Sequence, residues 1–178
     1  MEIKSALSEY GLTEVLAFNP EKIKITPDVR KMCEQNSCGQ YGRNYMCPPF
    51  IKSLDECEKE IRSFNNAVIF TGAYPIKNSF DFEGMMDAAA DFGKTIQKMK
   101  KTVKERYPDK IFLFLGAGGC PVCPECACVN DEPCRFPGEA FSSVEANGIE
   151  VLGLCRELGI RYNNGNNSVT YIGMVLYR

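Results

Sequence analysis

The sequence predicts one α/β domain over residues 1–178, with a mixed or mostly parallel sheet, flanking helices and irregular cysteine-bearing loops. Two short runs, Ala67–Thr71 and Ile111–Leu115, are apolar throughout, as strands buried on both faces are. Between them, Phe82–Tyr107 repeats apolar residues at three and four, the period of a helix. Strand, long helix, strand is a βαβ-type unit, for which parallel pairing and a right-handed crossover are expected. The third observation is bulk: 178 residues at 44% hydrophobic can bury a core of their own, and no repeat or linker divides them.

Residues 1–11 read as a short helix with Ile3, Ala6, Leu7 and Tyr10 on one face. Strands are expected over Glu14–Phe18 and Lys22–Ile25, with Asn19-Pro20 as the break. The following stretch, ending at Cys47-Pro48-Pro49, is rich in Gly, Asn and Pro and is expected to be irregular. Ser53-Leu54-Asp55-Glu56 has the form of a capping box, so a helix should open at Leu54 and bury Leu54, Cys57, Ile61 and Phe64.

In the long helix, Phe82, Met85, Met86, Ala89, Phe92, Ile96, Met99 and Val103 form the expected core stripe. Acidic residues at its start (Asp81, Glu83) and basic ones at its end (Lys100, Lys101, Lys104, Arg106) suit the helix dipole. Ser142-Ser143-Val144-Glu145 repeats the capping-box form. It predicts a helix with Val144, Val151, Cys155 and Leu158 inward. A turn over Asn163–Asn167 and a strand over Thr170–Leu176 complete the pattern.

Composition narrows the functions. The 21 basic and 23 acidic residues leave a net charge of −2, which gives no general attraction for nucleic acid. The basic run from Lys94 to Lys110 reads as the solvated face of the long helix. No apolar run has the length of a membrane span, and the N-terminus lacks the basic and apolar segments of a signal peptide. A disulfide framework suits short secreted chains. Here the expectation is instead a cytoplasmic protein whose thiols stay reduced, with no nucleic-acid or membrane partner.

The chemistry lies in ten cysteines and no histidine. Cys57 and Cys155 fall on apolar helix faces and read as core. The other eight form two loop-like groups: Cys33, Cys38 and Cys47, then Cys120, Cys123, Cys126, Cys128 and Cys134. Thiolates select iron–sulfur clusters, zinc or Cu(I), and without imidazole the site must be built almost wholly from sulfur. Cys120-x-x-Cys123-x-x-Cys126 has bacterial-ferredoxin spacing, with Cys134 as the expected fourth ligand of a [4Fe-4S] cluster and Cys128 as its competitor. An all-cysteine zinc site is the alternative. It fits less well, because structural zinc pairs one cysteine knuckle with a distant second.

Cys33, Cys38 and Cys47 offer three ligands for a second centre. Cys128, Cys57 or a carboxylate are candidates for the fourth, or one iron is left open. Gly116-Ala117-Gly118-Gly119 lacks the order of a phosphate loop and reads as a tight turn that lets the backbone approach the metal.

Three motifs resemble one family: C-x4-C-x2-YG-x4-CPP at Cys33, Cys38, Tyr41-Gly42 and Cys47-Pro48-Pro49, C-x2-C-x2-C at Cys120, Cys123 and Cys126, and C-R-x-P at Cys134-Arg135-Phe136-Pro137. The segment Ser143–Ile149 is similar too. The family is a group of small prokaryotic proteins described as predicted metal-binding proteins (domain of unknown function 2284). The resemblance covers most of the chain and implies a cysteine-bound metal centre but no reaction; Cys128 stands outside its pattern.

Three functions follow as expectations. The first is an electron-transfer or redox protein with one or two [4Fe-4S] clusters and a redox partner protein. The second is a structural zinc protein acting as an interaction module. The third is an enzyme using an open iron at Cys33, Cys38 and Cys47, with Tyr41, Arg43 and Arg135 as nearby polar groups.

Overall fold

The structure, a computed structural model, describes residues 2–178; Met1, at the head of the expected first helix, lies outside them. Helix α1 (Glu2–Ser8) buries Ile3, Ala6 and Leu7, and β1 (Glu14–Phe18) follows as expected. Lys22–Ile25 is not a strand. Asn19 accepts the Glu21 N–H at 3.0 Å and starts a single 3₁₀ turn, Pro20–Lys22. Ile25 then makes only an isolated bridge to Ile149. An asparagine side chain gave the backbone a competing local bond.

Helix α2 (Pro27–Met32) was not expected from the sequence. Its start signals are all present: Thr26 caps the Val29 N–H at 3.3 Å, Pro27 opens the first turn and Asp28 follows. None of its residues is buried, so it carries no apolar stripe to read. Helix α3 (Leu54–Arg62) has the expected capping box, with Glu56 N–H on Ser53 Oγ at 3.3 Å and Ser53 N–H on Glu56 Oε2 at 2.9 Å. Cys57 and Ile61 are buried beneath it.

The remaining elements are β2 (Asn66–Pro75), α4 (Phe82–Arg106), β3 (Phe112–Gly116), β4 (Ser142–Ser143), α5 (Val151–Leu158) and β5 (Ser168–Tyr177). They form one mixed five-stranded sheet in the order β1-β2-β5-β3-β4. The expected parallel pairing of β2 with β3 does not occur. The C-terminal strand β5 lies between them and pairs antiparallel with both. Its run Ile172–Tyr177 is buried throughout, so it fits the centre of the sheet at least as well as β3 does. Only β3 and the two-residue β4 are a parallel pair.

The sheet is buried on both faces. Ile69, Leu115, Ile172, Met174 and Leu176 pack with α3 and α5 residues on one side. Val68, Phe70, Phe114 and Val175 pack with α1 and α4 residues on the other. This double burial explains the uninterrupted apolar runs. In α4 the core stripe holds from Phe92 to Val103, but Phe82 and Met86 are exposed and Ala88 is buried in place of Ala89. The packed cluster takes in α4 only from Phe92 onward, so the first turns bury little.

The capping box expected at Ser142–Glu145 is also absent. Ser142 Oγ accepts from the buried Asn147 side chain at 2.7 Å. The chain makes a 3₁₀ turn, Glu145–Asn147, that ends at Gly148 in the left-handed region (φ +76°). Helix α5 begins only at Val151, capped by Glu150. Val151 and Cys155 face the core as expected, with Leu154 beside them. No helix among the described residues is long and apolar enough to cross a membrane.

Thr71 is fully buried on β2, and its hydroxyl has no hydrogen-bond partner among the described residues. Thr71→Val keeps the shape and removes the orphaned group. Urea unfolding should show unchanged stability or a gain of about 1 kcal/mol; a clear loss would reveal a partner for the hydroxyl.

Candidate metal centre

The first cysteine stretch grows out of α2 without a break. A 3₁₀ turn, Cys33–Gln35, ends at Asn36 in the left-handed region (φ 53°). Asn36 Oδ1 then accepts the Tyr41 N–H at 3.0 Å. Short turns continue to Cys47, whose carbonyl accepts the Phe50 and Ile51 amides at 3.0 Å. The second stretch leaves the end of β3 through Gly118 (φ +69°), a tight turn of the kind expected.

The two stretches form one unit. A Cβ at Gly119 would run into the Gln40 side chain, so glycine there permits the loops to touch. Buried Asn44 donates to the Cys120 carbonyl at 3.3 Å and accepts the Met46 N–H at 3.0 Å. The Tyr45 N–H points to Cys126 Sγ at 3.5 Å, and the Tyr45 hydroxyl donates to the Glu132 carbonyl at 2.9 Å. Arg135 closes the second loop by donating to the Glu125 carbonyl at 3.1 Å.

Cys120, Cys123, Cys126 and Cys134 line one small pocket with Asn44, Tyr45 and Arg135. Its volume, about 20 Å³, admits no organic ligand. All four cysteines are half-buried, and all ten in the chain are free thiols. Burial pushes the Cys120 thiol up, while the Val122 and Phe141 backbone N–H groups at its sulfur pull it back. At Cys126 burial also opposes the thiolate. There the Cys128 and Tyr45 backbone N–H groups, the Cys128 thiol and the Arg135 guanidinium prevail and hold the pKa below its ordinary value.

Cys33, Cys38 and Cys47 line a second, larger cavity of about 450 Å³ with Tyr41, Ser143, Glu145, Tyr162 and Tyr171. That is the size of a small-molecule pocket, roughly 300–1,000 Å³. Cys47 is buried, and burial together with the charges of Cys38, Cys33, Cys120 and Cys126 pushes its thiol up to about 12. It therefore stands between the two groups. Cys128 is buried and lines neither cavity; burial and Cys126 push it up to about 11. Cys57 and Cys155 are buried in the core beneath α3 and α5. Arg43 lines neither of these cavities but a groove beside α4 that also takes in Cys38, Cys120, Cys123 and Cys126.

The chain was compared with protein families, curated proteins and solved structures. A family model described as predicted metal-binding protein, domain of unknown function 2284, matches residues 17–177. The chain belongs to this family. No curated protein and no solved structure matches it. Family membership makes it a predicted metal-binding domain and accords with the cysteine-rich loops.

The donor set fits a sulfur-held metal. Four thiols surround one pocket, and backbone N–H groups reach two of the sulfurs, as the outer shell of a metal–thiolate site requires. Among the described residues, no three Cys, Asp or Glu side chains converge closely enough to clasp a single ion. Tetrahedral zinc at a Zn–S distance near 2.3 Å needs sulfurs about 3.8 Å apart. A four-iron core spreads its ligands around a larger body.

Asn44, Tyr45 and Glu145 were not singled out from the sequence. The first two sit in an aperiodic loop, where nothing local marks a partner 76 or 81 residues away. Glu145 has the position of a capping-box acid in the sequence, which draws attention to a helix start and away from its carboxylate.

In metal-free, reduced protein at mildly alkaline pH, the depressed pKa gives Cys126 a larger thiolate fraction than Cys47, Cys128 and Cys155, whose thiols burial pushes up. Iodoacetamide followed by mass spectrometry should label Cys126 well before Cys47, Cys128 and Cys155. Equal labelling of Cys47 and Cys126 would contradict this order.

Proposed function

We propose that the chain is an iron–sulfur protein that binds a [4Fe-4S] cluster through Cys120, Cys123, Cys126 and Cys134 and serves in electron transfer. One observation carries the reading: Cys120, Cys123, Cys126 and Cys134, the ferredoxin-spaced set, all line one pocket. When bound, the cluster supplies one-electron chemistry. The residues around it do the rest. Backbone N–H groups at Cys120 and Cys126 favour the thiolates and the more negative oxidation state. Asn44 and Tyr45 hold the first loop against the second, so the pocket keeps its shape without metal.

The quartet is only half-buried, and Pro124, Glu125 and Val129 within the same stretch are exposed, which suits electron exchange with a redox partner protein. Thiols kept reduced in this way suit the cytoplasm.

Protein made and reconstituted without oxygen should show a broad visible absorption that dithionite bleaches. Iron and labile sulfide should be present in equal amounts, and Cys123→Ser should lose at least tenfold of the iron held at this pocket. Uptake should weaken as pH falls, because burial raises the Cys120 pKa and ligation must displace its proton. A colourless protein with stoichiometric zinc and no sulfide would replace this reading with the structural zinc module.

A further inference from the structure

The second cavity brings together three cysteines and one carboxylate from a distant part of the chain. Cys33, Cys38 and Cys47 come from the first loop, and Glu145 comes from the 3₁₀ turn after β4. The placement of Glu145 is built in. The turn packs against α2, the helix that runs directly into Cys33. Thr26 N–H donates to the Gly148 carbonyl at 2.8 Å, Glu150 N–H donates to the Lys24 carbonyl at 2.9 Å, and Ile25 bridges Ile149. These bonds fix the segment carrying Glu145 beside the segment that leads into Cys33.

No lysine or arginine lines this cavity, and Glu145 takes part in no ion pair among the described residues. Three thiols and a carboxylate withdrawn from water stay protonated unless a cation pairs with them as they ionise, and a soft metal is the cation that thiolates select. The other cysteines do not supply the missing ligand. Cys57 is buried under α3 with its thiol directed at the Lys52 carbonyl (3.7 Å), and Cys128 lines neither cavity. The four donors line a cavity of about 450 Å³, which has room for a polynuclear core.

We propose that Glu145 is the fourth ligand of a second iron–sulfur cluster, held otherwise by Cys33, Cys38 and Cys47. This rests on the reading that the chain assembles iron–sulfur clusters on its thiols. A carboxylate oxygen is a harder donor than a thiolate and binds the soft core less firmly. An iron held by Glu145 would therefore be the distinctive one of the cluster.

The test is anaerobic reconstitution of the full chain, followed by iron and sulfide counts and electron paramagnetic resonance of the oxidised protein. Wild-type protein should hold about eight irons and give no signal, since oxidised four-iron clusters are silent. On oxidation with ferricyanide, which takes up one electron as one Fe²⁺ leaves, Glu145→Gln should drop to about seven irons and show the signal of an oxidised three-iron cluster. Glu145→Cys should return both readings to the wild-type pattern, which a merely structural role for Glu145 would not produce.

On dithionite reduction the quartet cluster should give the same signal in all three proteins, so it serves as an internal check of folding. Unchanged iron and no signal in Glu145→Gln would overturn the assignment, as would a loss that Glu145→Cys fails to restore. Wild-type protein with about four irons would also overturn it while leaving the quartet reading intact. No iron–sulfur cluster at all would instead remove the reading on which it rests.

Discussion

The pairing of β5 with both β2 and β3 is the constraint on which the rest of the fold depends. It supplies a ten-residue antiparallel ladder on one side and a four-residue one on the other. Its alternating side chains feed both cores: Met174 and Leu176 face one, Val175 and Tyr177 the other. Fully burying an aliphatic side chain of this kind is worth about 1.5–3 kcal/mol. Because β3 is held beside β5, the loop leaving β3 emerges next to the start of β5. There Val169, Thr170, Tyr171 and Ile172 line the cavity that also contains Cys33, Cys38 and Cys47. The last strand of the chain thus does double duty, closing the sheet and walling a site whose cysteines come from much earlier residues.

Local order was legible in the sequence wherever a signal had one strong reading. The capping box at Ser53 and Glu56, strand β1 and the buried runs of β2 and β3 all formed where expected. What failed depended on long-range competition. Nothing between Ala67 and Leu115 indicates that a strand from the C-terminus will separate β2 from β3. The Ser-x-x-Glu pattern at Ser142 carries the same letters as the one at Ser53. Its hydroxyl is taken by Asn147, and Gly148 ends the turn before a helix can start. Helix α2 was missed for the opposite reason: its caps were readable, but it buries nothing and so has no stripe.

The site was legible as two lists of cysteines but not as a shape. Spacing alone suggested Cys120, Cys123, Cys126 and Cys134 as a set, and the fold brings these four to one pocket. Spacing could not reveal the side-chain and backbone bonds through which Asn44 and Tyr45 bind one loop to the other, nor the carboxylate that faces the remaining three thiols. Contacts of that kind depend on the tertiary fold, and a protein without histidine has few polar side chains to mark its metal sites in advance.

Cys47 has a consequence of its own. Its electrostatic neighbours include Cys33 and Cys38 from one group and Cys120 and Cys126 from the other. In a buried setting, such charges act on one another with little screening. The two groups of thiols are therefore not independent compartments but a single polyelectrolyte with Cys47 at its hinge. Charge gained in either half raises the free energy of adding like charge to the other, so their proton affinities belong to the pair. Deprotonation of the two halves is then an ordered event, spread apart by repulsion across one residue.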